Sequence, residues 1–388
     1  MAIELNGKRV LVVGLAKSGL AAALFLKERG ALVTASDAKA EAQLGAAISE
    51  LKARGIVARG GEPQPNIEGF DLVVTSPGVP ADSPAFVRAR ERGVPVIGEV
   101  ELAAQFLRGK IVAITGSNGK TTTTALTGDV LRKGGKHVEV GGNIGVPAIS
   151  LVAGSTSEGF TVLEVSSFQL ETIRSFRPFV SVVLNVTPDH LDRHGSMEAY
   201  VAAKARILEN QGASDFAVFN FDDAVCRKLG ENLSRSGPSL CWFSREHEVE
   251  RGASLRERQI FWRDERGDQA IMNVGEVPLK GAHNLENVLA AISCGVLSDC
   301  APTDIARAVA EFKAVEHRLE HVATIRGVDY FNDSKATNVD ATLKALESFP
   351  ANIHLILGGK DKGSDYTVLA PLIAARVKRV YTIGAAAG

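Results

Sequence analysis

The feature that most constrains the fold is a repeated alternation of short β-branched runs with longer segments rich in Ala and Leu. The runs at 9–14, 31–36, 71–76 and 95–99 are predicted to be buried strands, because they are apolar and too short for helices. The segment at 18–30 has helical periodicity and ends in Gly, which favours a helix C-cap. Strands that alternate with helices in this way indicate a doubly wound α/β fold with parallel sheets.

The alternation restarts at 110–116 with a new strand and a new glycine-rich turn, so we place a domain boundary near residue 97. Between about 242 and 280 the pattern changes to short strands separated by charged turns, which predicts an antiparallel insert. Two helices and then a further βαβ-like unit are predicted beyond it, at 284–297, 302–313, 321–334, 352–359 and 379–384. The predicted domains are therefore 1–96, 97–313 and 314–388.

The composition is that of an ordinary globular protein, with 388 residues, 45% hydrophobic and 23% charged. The net charge of −1 provides no long-range field towards nucleic acid or an anionic membrane, so neither is expected as a partner. The N-terminus has no signal-peptide pattern, and no run reaches about 18 unbroken apolar residues. We therefore expect a cytoplasmic protein without membrane insertion. The four cysteines form no CxxC pair, which favours buried reduced thiols over a zinc site.

The strongest chemical signal is the turn TGSNGKTT at 115–122, which follows an apolar strand and precedes a helical segment. Glycines let backbone N–H groups close round phosphate oxygens, and the helix N-terminus adds partial positive charge. We expect Lys120 to reach the β- and γ-phosphates of ATP and the Thr121 hydroxyl to bind Mg²⁺. A chance Gly-Lys-Thr in a strand–helix turn is the alternative. Ile114 stands where the general P-loop pattern has glycine, so the shortened form points to a particular subfamily.

Polar residues at the ends of two later strands are expected to face this turn. Glu164 closes an apolar strand, which would place a carboxylate beside the P-loop as a magnesium ligand. The alternative is an edge-strand carboxylate that faces water. Asp189 and His190 follow the next strand, and sites in open α/β sheets lie at the carboxyl ends of strands. By itself, His190 would more often be a surface-loop histidine than a ligand.

A second glycine-rich turn, from Gly14 to Gly19, follows the first strand and almost spells a dinucleotide fingerprint. Ala16 replaces the middle glycine that lets the backbone approach a pyrophosphate closely. Asp37 lies at the end of the second strand, where an acid would meet a ribose in an NAD protein. An NAD-dependent oxidoreductase is therefore one hypothesis, but it leaves the P-loop unexplained.

Together these segments resemble the Mur ligases, which join an amino acid to a carboxylate through an acyl phosphate. The resemblance extends over residues 1–388 and implies an α/β fold of three domains. These are a Rossmann-like UDP-binding domain, a P-loop ATPase-like central domain with a parallel sheet, and a Rossmann-like C-terminal domain. The segments SSFQLE and NDSKATN favour the member that adds D-glutamate. The motifs are TGSNGKTT (115–122), GGNIG (141–145), LEVSSFQLE (163–171), LNVTPDHLDRH (184–194), Lys204 in AAKARI, GAHNLENVLAA (281–291), HRLE (317–320) and NDSKATN (332–338).

The resemblance implies that ATP binds between the P-loop, one helix and the third domain. Asn284 and Asn287 are three apart, hence on one helix face, and would contact the adenine. Arg318, Asp333 and Lys335 would close over the phosphates and the acyl phosphate. The implied ATP-binding residues are Gly116, Ser117, Asn118, Gly119, Lys120, Thr121, Thr122, Asn284, Asn287, Arg318 and Asp333, and the implied catalytic residues are Lys120, Glu164, His190, Lys204, Arg318 and Lys335.

The resemblance also implies two Mg²⁺ ions, one held by Thr121 and Glu164 and one by His190 and Lys204. Lys204 would be carbamylated by CO₂, so that it acts as an anionic oxygen ligand. That modification requires a neutral amine, and burial lowers the pKa of a lysine in the required direction. Spacing alone favours a solvated helix lysine at position 204.

The implied substrates are UDP-N-acetylmuramoyl-L-alanine and D-glutamate, and the implied enzyme is a monomer. The turn at 14–19 would bind the UDP part, with Asp37 near the uracil, rather than NAD. Groups that follow the P-loop would hold the muramoyl part, and the third domain would bind D-glutamate. The implied substrate-binding residues are Gly14, Leu15, Ser18, Asp37, Ser76, Asn143, Ser166, Gln169, His190, Thr337 and Lys362.

Two alternatives stay open beside this interpretation. Another Mur ligase or a folylpolyglutamate synthase would carry out the same chemistry on a different acceptor or amino acid. A catalytically inactive, UDP-sugar-binding regulator is the other. The length of the third domain suggests this second alternative. In the family the third domain is about as long as the first, so we expect the segment 314–388 to be an incomplete third domain.

Overall fold

The computed structural model describes residues 3–313, 315–359 and 365–385, and its first unit is a wholly parallel sheet flanked by helices. The elements of this unit are β1 (Arg9–Val13), α1 (Lys17–Glu28), β2 (Leu32–Asp37), α2 (Gly45–Ala53), β3 (Val57–Gly60), β4 (Leu72–Thr75), α3 (Pro84–Glu91), β5 (Val96–Gly98) and α4 (Glu99–Ala104). The strand order is β3-β2-β1-β4-β5. The apolar strand β1 lies at the centre, and buried apolar clusters lie on both of its faces, as expected for a parallel sheet covered on both sides.

The central unit is built on a nine-stranded sheet. Its elements are β6 (Lys110–Thr115), α5 (Lys120–Lys133), β7 (Val138–Gly142), β8 (Phe160–Glu164), α6 (Ser167–Leu170), β9 (Val180–Val183), α7 (Leu191–His194), α8 (Met197–Ala205), β10 (Phe216–Asn220), α9 (Ala224–Glu231), β11 (Ser239–Ser244), β12 (Gly252–Arg256), β13 (Gln259–Asp264), β14 (Gly267–Asn273), α10 (Ala282–Leu297) and α11 (Pro302–Glu311). The strand order is β14-β13-β12-β11-β10-β9-β6-β8-β7. Neighbours from β7 to β12 are parallel, whereas β12, β13 and β14 are antiparallel, which confirms the predicted insert.

The first and central units share one apolar core. A single cluster of buried side chains runs from Val12 of β1 through Leu102 of α4 to Leu163 of β8 and Val183 of β9. A second cluster covers the opposite face of the central sheet, where α5, α10 and α11 pack on it. Burial on this scale contributes roughly 25 cal/mol for each Å² of apolar surface removed from water, so this packing joins the two units firmly.

The third unit contains two small sheets. Its elements are β15 (Glu320–Ile325), β16 (Val328–Asn332), α12 (Val339–Glu347), β17 (Ile353–Gly358), α13 (Ala370–Arg376) and β18 (Val377–Ile383). Strands β17 and β18 are parallel with α13 between them, as a βαβ unit requires. The prediction that such a unit opens at 321–334 is wrong, because β15 and β16 form an antiparallel hairpin. Arg326 and Gly327 both have positive φ, 52° and 78°, which is the turn geometry that suits a two-residue hairpin.

The helices of the described ranges are of ordinary length. The longest, α10, has 16 residues, and in the described ranges none is both long and apolar enough to cross a bilayer. Short 3₁₀ turns complete the secondary structure, at Glu41–Gln43, Ala148–Leu151, Arg206–Leu208, Val274–Glu276 and Thr367–Leu369.

Candidate active site

The glycine-rich turn between β6 and α5 lies at the carboxyl edge of the central sheet. Gly119 has a φ of 84° and immediately precedes Lys120, the first residue of α5. A Cβ atom at Gly116 would lie 2.9 Å from the Leu184 Cβ, so the backbone approaches the end of β9 closely. The Asn118 N–H donates to the Asn185 side chain at 2.8 Å. The turn therefore presents the N-terminus of α5 in the geometry that binds phosphate.

Two lysine side chains meet at one carbonyl of this turn. The Lys120 amine donates to the carbonyls of Gly116, at 2.9 Å, and Ser117, at 2.8 Å. The Lys204 amine, from α8, donates to the same Gly116 carbonyl at 2.8 Å. Lys204 is only 1% exposed, so the alternative of a solvated helix lysine is wrong. Burial lowers the pKa of Lys204 well below the ordinary value, and the neighbouring charge of Lys120 lowers it further.

A buried carboxylate completes this part of the site. Glu164 ends β8, is 2% exposed, and lies between strands on both sides, so the alternative of an edge carboxylate facing water is wrong. Its Oε2 accepts the Thr121 hydroxyl at 2.9 Å, and its Oε1 accepts the Asn143 amide at 2.9 Å. Arg318, from the third unit, donates to the Thr121 hydroxyl at 3.1 Å. A carboxylate and a hydroxyl together offer the oxygen ligands that Mg²⁺ takes.

His190 lies at the start of α7, where its φ of 54° turns the chain into the helix. Its ring and the Phe168 ring of α6 form a T-shaped pair, with centroids 4.9 Å apart. Its Nε2 is 3.6 Å from a carboxylate oxygen of Asp189. His190 therefore faces α6, and Ser166 and Gln169 form a reciprocal capping box at the N-terminus of that helix.

The predicted adenine-contacting residues line a cavity of 370 Å³ between the central and third units. Asn287 donates to the Asn284 side chain at 3.1 Å and accepts the Thr123 hydroxyl at 3.2 Å. Asp333 accepts the Leu319 N–H at 3.1 Å, and burial raises the pKa of its carboxyl. The predicted residues that line this cavity are Asn118, Gly119, Thr122, Asn284, Asn287, Arg318 and Asp333.

Three predicted residues of the third unit are not brought into this cavity. Lys335 and Thr337 are exposed and lie outside its lining. Lys362 falls outside the residues that the structure describes. Lys335 and Thr337 both lie in the loop between β16 and α12.

The sequence pattern did not identify the residues of the third unit that contact the P-loop and the loop after β9. The Asn118 amide donates to the Asp340 carboxylate at 2.5 Å, and Asn338 donates to Asp189 at 3.0 Å. Asn338 also caps α12, accepting the Ala341 N–H at 2.8 Å. The signal was available, because an Asn directly before a helical segment is a preferred N-cap.

The first glycine-rich turn forms a separate group at the carboxyl edge of the first sheet. The Ser76 hydroxyl donates to the Gly14 carbonyl at 2.7 Å, and the Leu15 N–H donates to the Asp37 carboxylate at 2.6 Å. A Cβ atom at Gly19 would lie 1.7 Å from the Gly14 carbonyl oxygen, so only glycine lets α1 begin this close to β1. Ser18 lies in the first turn of the same helix. The structure therefore brings Gly14, Leu15, Ser18, Asp37 and Ser76 together.

Comparison with known families gives three matches along the chain. They are to the Mur ligase MurD-like N-terminal domain over residues 8–98, the Mur ligase middle domain over residues 114–295, and the Mur ligase glutamate ligase domain over residues 317–388. All three of the units described above are therefore similar to Mur ligase domains.

Similar proteins cover almost the whole chain. The UDP-N-acetylmuramoylalanine–D-glutamate ligase of Koribacter versatilis is 58% identical over 386 residues, which are 99% of this chain and 84% of that protein. The ligase of the same name from Acidobacterium capsulatum is 55% identical over 388 residues, again 99% of this chain and 84% of the relative. Among solved structures, UDP-N-acetylmuramate-alanine ligase from Thermotoga maritima matches with a TM-score of 0.57 at 22% identity, over 96% of this chain and 86% of that one. That last likeness concerns the fold.

Proposed function

The chain belongs to the Mur ligase family, and we propose that it catalyses the ATP-dependent addition of D-glutamate to UDP-N-acetylmuramoyl-L-alanine, in peptidoglycan precursor synthesis. One observation carries the proposal: Lys120, Lys204 and Glu164 converge on a P-loop at the carboxyl edge of the central sheet. That arrangement is suited to phosphoryl transfer, which depends on positioning and on neutralisation of charge.

The reaction requires activation of a carboxylate, because a carboxylate does not react with an amine directly. The γ-phosphoryl group of ATP passes to an oxygen of the alanyl carboxylate, and the bond to ADP breaks. The amine of D-glutamate then attacks the acyl carbon, loses a proton, and inorganic phosphate leaves with the electrons of the carbon–oxygen bond. Lys120 and Arg318 would balance the negative charge of the phosphates, since both lie at the P-loop.

The donor groups of the site fit magnesium, which supplies further neutralisation of phosphate charge when bound. We propose Thr121 and Glu164 as ligands of one ion, and His190 and Lys204 as ligands of a second. The unmodified Lys204 amine donates a hydrogen bond to the Gly116 carbonyl, so it fits a metal only after conversion to a carbamate. Its lowered pKa increases the neutral fraction, which is the form that reacts with CO₂.

The substrates would extend across all three units. We propose that the group around Gly14 and Asp37, with Leu15, Ser18 and Ser76, holds the UDP part, and that Asn143, Ser166 and Gln169 hold the muramoyl part. Asn284 and Asn287 would contact the adenine, Asp333 and Lys335 would close over the phosphates, and Thr337 and Lys362 would bind D-glutamate. A monomeric enzyme of the cytosol, where ATP and nucleotide-linked precursors are both present, is part of the same proposal.

The test is phosphate release from ATP in the presence of UDP-N-acetylmuramoyl-L-alanine, with D-glutamate compared against L-alanine, L-lysine and meso-diaminopimelate. We expect one phosphate released for each product molecule when D-glutamate is the amino acid, and no product with the other three amino acids. Equal or faster turnover with another amino acid would assign a different Mur ligase activity. Tight binding of the UDP substrate without any product would favour the inactive regulator.

A further inference from the structure

Arg193 connects two domains in a way that the reaction chemistry does not require. Its guanidinium donates to the carbonyls of Pro77, at 2.8 Å, and Val79, at 3.3 Å, which both belong to the loop after β4 in the first unit. The same group donates to the Glu171 carboxylate of the central unit at 3.1 Å. It is 19% exposed, so solvent competes little for these bonds.

The loop that Arg193 holds is in contact with the first glycine-rich turn. Ser76 donates to the Gly14 carbonyl, and a Cβ atom at Gly14 would lie 3.0 Å from the Val79 side chain. A shift of this loop would therefore move the turn that we propose for UDP. Arg193 does not contact the turn itself. It acts on the turn through the loop, by donating to the Pro77 carbonyl at 2.8 Å.

The other side of Arg193 rests on helix α6. Its guanidinium carbon lies 4.0 Å from the centroid of the Phe168 ring, a cation–π contact. His194 stacks on the same ring, with centroids 5.3 Å apart, and pairs with the Ser167 hydroxyl at 3.0 Å. Phe168 lies between Ser166 and Gln169 in the sequence, so the orientation of the helix that carries both depends on this packing.

We infer that Arg193 is a positioning residue that fixes the spacing between the first glycine-rich turn and helix α6. This inference rests on the proposed function, in which one substrate molecule contacts both places. A ligand that engages two sites gains affinity only when their separation matches its own length, because the second contact is then intramolecular. Arg193 would thus favour the whole UDP-muramoyl substrate over its UDP fragment.

A charge effect makes a different prediction and can be separated from positioning. A cation near the first turn would attract the pyrophosphate of either ligand, so its removal would weaken UDP and the whole substrate alike. Loss of fixed spacing weakens only the ligand that reaches both places. The ratio of the two affinities, rather than either affinity alone, is the informative quantity.

The experiment is calorimetry of the full chain with UDP and with UDP-N-acetylmuramoyl-L-alanine, for the wild type, Arg193→Ala and Arg193→Lys. Arg206→Ala is the matched control, since Arg206 also donates to two carbonyls, of Glu171 and Ile173, but within the central unit. For Arg193→Ala we expect whole-substrate affinity to fall by about tenfold or more, with UDP affinity within about twofold. The whole-substrate affinity of Arg193→Lys should lie between those of the wild type and Arg193→Ala, because an ammonium group cannot reproduce the planar hydrogen-bonding geometry of a guanidinium.

Initial rates provide the second measurement. For Arg193→Ala, the KM for the UDP substrate should rise with affinity loss, while kcat and the KM for ATP stay within about threefold. A fall in both affinities by the same factor, or an unchanged ratio, would overturn the inference and leave the proposed function intact. Failure of the wild type to bind either ligand would instead count against the proposed function. If Arg193→Ala does not fold, the ratio for Arg193→Lys decides.

Discussion

The two glycine-rich turns of this chain occupy equivalent places and have different surroundings. Each follows a strand that has a parallel neighbour on both sides, β1 in the first unit and β6 in the second. Each leads into a helix whose first residue is a lysine, Lys17 in α1 and Lys120 in α5. From the sequence alone, both turns would be interpreted as phosphate-binding turns of the same kind.

The side chains around the turns are what separate them. In the first, both oxygens of Asp37 are occupied by backbone N–H groups, of Leu15 at 2.6 Å and Lys39 at 2.8 Å, and Lys17 is exposed. In the second, Lys120 folds back onto the turn, and desolvation lowers the pKa of its amine. At the first turn a carboxylate accepts backbone N–H groups, whereas the second carries partly desolvated cationic groups. Glycine spacing therefore predicts that a turn forms, whereas the charged side chains around the turn determine which ligand groups it can bind.

The largest expected effect comes from removing the cation of the second turn. Lys120→Ala should lower kcat by about 100-fold or more, corresponding to about 2.7 kcal/mol of lost transition-state stabilisation. Lys17→Ala, at the same position of the first turn, should leave kcat within about twofold. Steady-state phosphate release measures both. Retention of more than about a tenth of kcat in Lys120→Ala would make the two turns alike and sink the P-loop assignment.

Lys204→Ala should lower kcat by about 10- to 100-fold, the range for loss of a group that orients a metal site. The carbamate it would carry is a carboxylate equivalent, so millimolar acetate or formate should restore part of the rate. Lys204→Arg is the control, because its guanidinium fills the space and excludes the added anion. Rates with and without the carboxylate measure the effect. Equal rates with and without acetate would remove Lys204 from the ligand set.

The sequence predicts the elements that have local signals. The predicted helix at 284–297 is observed as Ala282–Leu297, and the predicted strand at 9–14 as Arg9–Val13. The two glycine-rich turns, the antiparallel insert and the family resemblance can each be predicted from short motifs, and every such motif spans only a few consecutive residues. Periodicity and glycine spacing are properties of short segments, so they need no knowledge of how the segments pack.

Contacts between distant segments are what the sequence does not provide. Nothing in the pattern connects Arg193 with the Pro77 carbonyl or Asp340 with Asn118, because no period links positions so far apart. The hairpin at 320–332 was missed for a different reason. Its turn places Arg326 at positive φ, a conformation that arginine seldom adopts and that no turn rule would assign to it.

Glycine substitutions extend the comparison to stability. Gly19→Ala should cost about 1–3 kcal/mol in the free energy of unfolding, because the new Cβ would meet the backbone oxygen of Gly14 at 1.7 Å. ATP affinity should stay unchanged, since no residue of the first turn lines the cavity proposed for the adenine. Gly78→Ala is the control, with nothing within 4 Å of the new atom. Urea unfolding followed by circular dichroism measures the change, and equal stability of the two variants would contradict the packing role of Gly19.

The smallest effect is expected at the acid of the first turn. Asp37→Asn replaces one acceptor oxygen by an NH₂ group that points at a backbone N–H, so either the Leu15 or the Lys39 bond is lost. The turn should loosen at a cost of about 1 kcal/mol, the low end of the range for an unsatisfied buried donor, because Asp37 is only half-buried. The KM for the UDP substrate should rise by about three- to tenfold with kcat unchanged, which is the signature of lost uniform binding. Asp82→Asn, which changes an exposed acid of the same unit, should alter neither the stability nor the KM.

Calorimetry on the wild type completes the test of the first turn, because UDP should bind and NAD should not. NAD binding tighter than UDP would mean that the first turn is a dinucleotide site after all, and a fall in kcat at unchanged KM would mean that it takes part in the chemistry rather than in holding the substrate.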